Sequence, residues 1–442
     1  MTHVFHRHTK TQYPTAVKGE GCFLIDQSGK RYFDGSGGAA VSCLGHSHPK
    51  VIETIQKQAA QLSFAHTSFF TNEPMEKLAD HLVAHAPQGL EHVYFVSGGS
   101  EAVEAAIKLA RQYFLESGSL KKHHVIARRQ SYHGNTLGAL SAGGNLWRRA
   151  QFEPLLVPAM SHISPCYEYR DKLEGETTET YGLRIAQELE TEILRIGAEN
   201  VAAFIAEPVV GATTGCVPAV TGYLKKIKEI CERYNVLLIL DEVMCGMGRT
   251  GTLFACEQDG VTADFITLAK GLGAGYQPIG ALMVSDKIFK TIQNGSGFFQ
   301  HGHTYMGHTL ACATALTVQQ IVQEEGLLDR VKTLGAQLKS ALHATFDSHA
   351  HVGDIRGRGL FIGLELVEDK SSKQSFDPSK SLNVKVKKAA MAEGLMCYPM
   401  GGTIDGKLGD HIMLAPPFIM EEAHIDLIVS RLKIAIDYAL TV

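Results

Sequence analysis

Six short runs between about residues 90 and 285 are almost wholly apolar: His92–Val96 (HVYFV), His124–Ala127 (HVIA), Ala202–Ala206 (AAFIA), Val236–Leu240 (VLLIL), Phe265–Leu268 (FITL) and Ala281–Val284 (ALMV). A strand with one wet face alternates apolar and polar residues. A strand without that alternation is buried on both sides, as in a mainly parallel sheet covered by helices. Helical spacing fills the stretches between, as in Glu101–Phe114, Tyr181–Ile196 and Gly222–Tyr234. The alternation predicts an α/β doubly wound domain with a large, mainly parallel sheet. The flanks differ. Residues 21–35 (GCFLIDQSGKRYFDG) read as a hairpin, and beyond about 325 come long helical patterns and the strand-like Phe361–Leu366. Both termini are therefore expected to build a smaller α+β domain, dividing the chain into 1–58, 59–325 and 326–442.

Composition removes several function classes. The formal net charge is −4, and the basic residues are scattered, so the footprint of a nucleic-acid binder is absent. The nine cysteines show no CxxC pair, which reads as reduced thiols and a cytoplasmic protein. The polar segment Met1–Lys10 lacks the apolar core of a signal peptide. No apolar run approaches the ~20 residues that a membrane-spanning helix needs.

Chemistry could sit at four places. In Ser97-Gly98-Gly99-Ser100 a buried strand runs into a helix that opens at Glu101. Unpaired N–H groups there favour an anion, so the turn is either a phosphate cradle or a glycine turn with Ser100 as its cap. In VLLILDEV a buried strand ends in Asp241, at the sheet edge where open α/β folds bind ligands. Asp241 could hold a cationic ring nitrogen, or serve as a structural acid. Lys270 follows the strand FITL and precedes a glycine-rich turn. A desolvated lysine amine is a nucleophile, although most lysines lie at the surface. Finally, Gly246–Gly251 (GMGRTG) matches a dinucleotide fingerprint, but no helical pattern follows it. Taken at face value it would make the chain an NAD-dependent oxidoreductase. The histidine pairs His6/His8, His46/His48 and His301/His303 have no accompanying ligand set, so no metal is expected.

Taken in order, these motifs resemble those of the class III aminotransferases, which use pyridoxal 5'-phosphate on fold type I. The match runs from about Gly19 to Leu432: SGGSEA at 97–102, Tyr132-His133-Gly134, Glu207-Pro208, Asp241-Glu242-Val243, Lys270 before glycine, Thr304-Tyr305-Met306-Gly307, and Ala415-Pro416-Pro417. The resemblance implies that Lys270 carries the cofactor and that Asp241 pairs with its ring nitrogen. It implies Tyr132 and Val243 on the two ring faces, Gly99 and Ser100 at the phosphate, and His133 among the cofactor's neighbours. It gives Glu207 a gatekeeping place, and Thr304 a reach to the phosphate of a neighbouring subunit, hence a homodimer or a tetramer.

Three positions depart from the family pattern. Gly98 stands where many relatives have serine, which removes a hydroxyl from the phosphate turn. Met413 stands where ornithine- and GABA-type relatives often have a carboxylate-binding arginine. Ala40 stands where amine-type relatives often have an aromatic residue, and the small side chain is expected to widen the pocket. Arg356 and Arg358 match a family structural segment. The resulting expectation is a ping-pong transaminase moving an amino group from an amine or ω-amino acid to a keto acid such as pyruvate. Diamine, diaminobutyrate, GABA/ornithine and 7,8-diaminopelargonate specificities, or an aminomutase, are the alternatives.

Overall fold

The computed structural model describes residues 2–441. Its central sheet has seven strands: β1 (Leu90–Val96), β2 (His124–Arg128), β3 (Met160–Ile163), β4 (Val201–Ala206), β5 (Leu237–Asp241), β6 (Phe265–Leu268) and β7 (Gly280–Ser285). They lie in the order β1-β7-β6-β5-β4-β2-β3. β7 runs antiparallel to both neighbours, and the other pairings are parallel. Each of the six apolar runs is a strand. The additional one, β3, has the sequence MSHI and lies at the sheet edge against β2 alone.

Every residue of β4, β5 and β6 is buried. Successive side chains alternate between the faces of a strand, and each face has its own helical cover. Phe204, Leu238 and Leu240 pack with Ile185 and Leu189 of α2 (Thr178–Ile196) and with Ile227 of α3 (Tyr223–Arg233). Ala203, Ile205 and Ile239 pack with Val103, Ala106 and Leu109 of α1 (Gly99–Glu116). This two-sided burial is what the absence of alternation required.

The small domain joins both ends of the chain. An antiparallel sheet of Ala16–Glu20, Phe23–Asp26 and Arg31–Phe33 contains the expected hairpin. A four-stranded antiparallel sheet is built from Val352–Arg358, Phe361–Leu366, Asp410–Leu414 and Tyr398–Gly401. One apolar core unites Phe33, Leu44 and Val51 with Leu338, Ile428 and Leu432.

Two contacts fix the sheet edge that matters most. Gly280, at the start of β7, pairs with Val96, at the end of β1. A Cβ on Gly280 would fall 2.6 Å from the Gly98 carbonyl oxygen, so only glycine permits this approach. The SGGS turn is thereby held against β7.

Candidate active site

The C-terminal ends of the parallel strands converge on one cavity of about 140 Å³. β1 delivers Gly99 and Ser100, and the segment after β2 delivers Tyr132, His133 and Gly134. β4 delivers Glu207 and then Val209, β5 delivers Asp241, Val243 and Met244, and β6 delivers Ala269 and Lys270. Of the expected site residues, Gly99, Ser100, Tyr132, His133, Glu207, Asp241, Val243 and Lys270 all line it. Thr304 does not; it lies exposed on a turn.

The turn after β1 opens α1 without a side-chain cap, since Gly98 occupies the cap position. Ser100 is therefore not the cap, and its Oγ accepts from the Asn135 N–H at 3.0 Å. Uncapped N–H groups at the start of an eighteen-residue helix are free to donate to an anion. The close packing of Gly99 on Val243 leaves no room for a side chain, since a Cβ would sit 2.8 Å from Val243 Cγ1.

Asp241 is buried and well supplied with donors. Its Oδ2 accepts from His133 Nδ1 at 2.7 Å, and its Oδ1 accepts from the Val243 N–H and from Thr267 Oγ1, each at 3.1 Å. A carboxylate offers about four acceptor positions, so one remains for a donor in the cavity. Nε2 of His133 is buried without a partner. Glu207 contrasts with Asp241. Its Oε1 accepts a long bond from the Tyr132 N–H at 3.4 Å, Arg128 stands 4.0 Å from Oε2, and Oε2 has no hydrogen-bond partner. Burial pushes its carboxyl up to about 7.

Lys270 has a left-handed backbone, with φ 46°, an uncommon conformation for a residue with a side chain. Desolvation pushes its amine down to about 8, against the opposing pull of Asp241 and Glu207. At neutral pH a lysine in this state releases its proton far more readily than one in water.

Sequence reasoning missed Thr267, Val209 and Met244. Thr267 had a signal, as the one hydroxyl in an otherwise apolar strand; the other two had none. Ala40 and Met413 do not line the cavity. They pack with Phe361 and Tyr398 behind Val209 and Met244, so Ala40 acts on the pocket through packing rather than by opening it directly. Arg356 and Arg358 are structural: Arg356 bonds Glu365, Asp354, Tyr167 and the carbonyls of Thr214 and Gly215, and Arg358 grips Asp259 with both terminal nitrogens. The dinucleotide reading of Gly246–Gly251 fails. No α-helix opens there, the Glu242 carboxylate is taken up by the N–H groups of Ala255 and Cys256, and Arg249 donates to the carbonyls of Leu360 and Pro416.

Comparison with known proteins agrees with this geometry. The sequence model of the family "Aminotransferase class-III" matches residues 4–436. An uncharacterized aminotransferase of Schizosaccharomyces pombe is 46% identical over 98% of this chain and 94% of its own length. An (S)-enantioselective omega-transaminase from Thermomicrobium roseum is 37% identical, with a TM-score of 0.92 over 98% of this chain and 96% of that one. The omega-transaminase of Pseudomonas jessenii, crystallised in complex with PMP, is 32% identical, with a TM-score of 0.93 over 100% of this chain and 96% of that one. The chain belongs to the class III aminotransferases.

Proposed function

We propose that the protein is a pyridoxal 5'-phosphate-dependent transaminase with ping-pong kinetics. It takes the amino group of an amine or ω-amino acid and delivers it to a keto acid such as pyruvate. The observation that carries this is the desolvated Lys270 amine in one cavity with the Asp241–His133 pair and an uncapped helix N-terminus.

The cavity fits the cofactor chemically. Gly99, Ser100 and the first turn of α1 would hold the phosphate. Asp241 has one acceptor position left for a protonated ring nitrogen. Tyr132 and Val243 would flank the ring, with His133 fixing Asp241 from behind. When bound, the cofactor supplies an electron sink for negative charge at the substrate carbon. The negative Asp241 keeps the ring-nitrogen proton in place, through a bond of about 1.5–3 kcal/mol. Lys270 anchors the cofactor. With its Nζ free, Lys270 would take the proton from the substrate carbon and hand it to the cofactor carbon within the same half-reaction, and the keto-acid half-reaction would run that transfer in reverse. Glu207 faces the same space as a carboxyl poised near neutrality.

The substrate side favours an amine or a terminal amino group. Met413 occupies the position where a carboxylate-holding arginine stands in ornithine- and GABA-type enzymes. The wall that it supports, with Ala40, Val209 and Met244, is apolar.

The enzyme is proposed to be a homodimer. Thr304 lies on an exposed turn beside Tyr305, which is 60% exposed; Phe69 and Phe70 are 79% and 68% exposed. Tyr305 packs on Phe64, and Phe69 on His66; a contiguous exposed apolar patch is the kind of surface that contacts another protein, and Thr304 would reach the partner's phosphate there. The division at 58 and 325 is proposed to separate the two halves of the small domain from the cofactor domain. A cytoplasmic location is in keeping with nine free, buried thiols. Among the described residues no helix is long and apolar enough to cross a membrane.

A screen of amines and amino acids tests the function. The donor alone should convert the cofactor spectrum to its amine form, and pyruvate should restore it. Turnover confined to ornithine or GABA coupled to 2-oxoglutarate would refute the proposed specificity.

A further inference from the structure

Arg148 does not itself line the cavity, but it is a cation beside it that no partner employs. It lies on the short helix Leu146–Arg149, and its guanidinium carbon sits 4.6 Å from the centre of the Tyr132 ring, which lines the cavity. Among the described residues no ion pair or hydrogen bond engages the guanidinium, and its Nε is buried without a partner. Its charge is felt at Lys270, where it opposes protonation of the amine. Arg356 and Arg358, by contrast, are fully occupied.

The backbone at Arg148 is held firmly. Its N–H donates to Asn145 Oδ1 at 3.1 Å, and Asn145 Nδ2 donates to Gln130 Oε1 at 3.1 Å. Gln130 Nε2 then donates to the Gly402 carbonyl at 2.9 Å, which ties the turn to a small-domain loop. A stacked guanidinium keeps its N–H donors at the rim of its plane, free for a second partner. Two such donors match the two oxygens of a carboxylate.

We propose that Arg148 binds the substrate carboxylate, above all that of the keto-acid acceptor, from the Tyr132 side of the cavity. It thereby fills the need that Met413 leaves open. The apolar wall then takes the acceptor's methyl group or the hydrocarbon part of an amine donor. The inference rests on the transaminase reading for its substrate class. It specifies a monocarboxylate acceptor and a donor that needs no carboxylate.

The test compares Arg148→Ala and Arg148→Lys with the parent holoenzyme in two measurements. The first is titration of the cofactor spectrum with propionate, an unreactive carboxylate. Loss of a charge-assisted pair should weaken binding roughly 10- to 100-fold in Arg148→Ala, with lysine recovering only part of it. The second is the half-reaction with pyruvate against that with 1-phenylethylamine. The pyruvate kcat/KM should fall at least about tenfold more than that of the amine, chiefly through KM. Arg7, exposed but close enough to influence Tyr132, is the control for a long-range field. Propionate affinity unchanged in Arg148→Ala, an equal loss for pyruvate and amine, or an equal effect of Arg7→Ala would each overturn the proposal. If no donor converts the parent enzyme's cofactor, the transaminase reading falls, while the propionate titration still decides whether Arg148 is a carboxylate site.

Discussion

The two walls of the cavity are made differently. On the strand-end wall, Lys270, Asp241, His133 and Glu207 are aimed by the backbone where β6, β5, β2 and β4 finish. The apolar wall follows two of the same strand ends, those of β4 and β5, by a few residues: Val209 and Met244 rest on a patch of Ala40, Phe361, Met413 and Tyr398, none of which offers a charge. A polar group on the first wall is defined by its position and its partners, so replacing it changes the chemistry. A side chain on the second is defined by volume, so replacing it changes which molecules fit. On the proposed function, the first wall would set the reaction and the second the substrate.

The strongest way to break this division is at Lys270. Lys270→Ala should abolish the lysine-linked absorbance of the cofactor and cut transamination by roughly 10²–10⁴-fold or more, the scale of a lost general base. Spectra and single-turnover rates would show it, and retained turnover would put the chemistry elsewhere. Asp241→Asn keeps the shape but removes the negative charge opposite the ring nitrogen. It should lower the donor half-reaction about 10- to 100-fold, in proportion to one charge-assisted bond. On the other wall, Met244→Arg, at a position that lines the cavity, should shift preference by about tenfold toward acceptors with a second carboxylate, such as 2-oxoglutarate. Competition between 2-oxoglutarate and pyruvate reads this out, and a uniform fall in rate would mean that the wall has chemistry of its own.

A finer test separates the two acids of the strand-end wall. The carboxyl of Glu207 is pushed up to about 7, while an unfolded chain would titrate it near 4.5. The folded protein therefore binds the proton more tightly. The stability this confers is complete below about pH 4.5 and is lost as pH climbs through 7. Glu207→Gln, which is always neutral, should raise the melting temperature of the cofactor-free protein by roughly 2–4 °C at pH 8 and by little at pH 4.5. Equal shifts at both pH values would show that burial of the charge is not the cause. The smallest effect is expected at Gly98. Its backbone is extended, and an added Cβ meets nothing within 4 Å. Gly98→Ser should tighten phosphate-dependent cofactor binding about two- to tenfold, the worth of one ordinary hydrogen bond.

The strand-end wall was readable in the sequence because it is a property of order along the chain. A buried strand, then an acid, then a buried strand, then a lysine places both groups on one sheet edge whatever else the molecule does. The SGGS turn was readable for the same reason. Strand β3 was not: MSHI is short and half polar, and only its pairing with β2 makes it a strand. The other wall was only partly readable. Ala40 and Met413 were noticed as departures, but their place behind Val209 and Met244 depends on how strands from both termini fold over the large domain. Arg148 escaped notice altogether, because in the sequence it is one of two adjacent arginines. What distinguishes it is the ring beneath it and the absence of any acid beside it.

The close approach of Gly280 to Gly98 also has a meaning in time. β1 lies at the edge of the sheet and pairs with β7 alone, yet it is the first strand of that sheet to be synthesised and β7 is the last. Until β7 emerges, β1 has no partner, and the turn that follows it has nothing to rest on. The emerging chain must keep an apolar strand out of trouble through the making of nearly the whole large domain, the kind of exposure that invites aggregation. The SGGS turn is thus made before the rest of the sheet and supported only after β7 has formed. In refolding, pyridoxal 5'-phosphate should accelerate only the closing phase, after β7 has docked, and leave the initial collapse at its own rate.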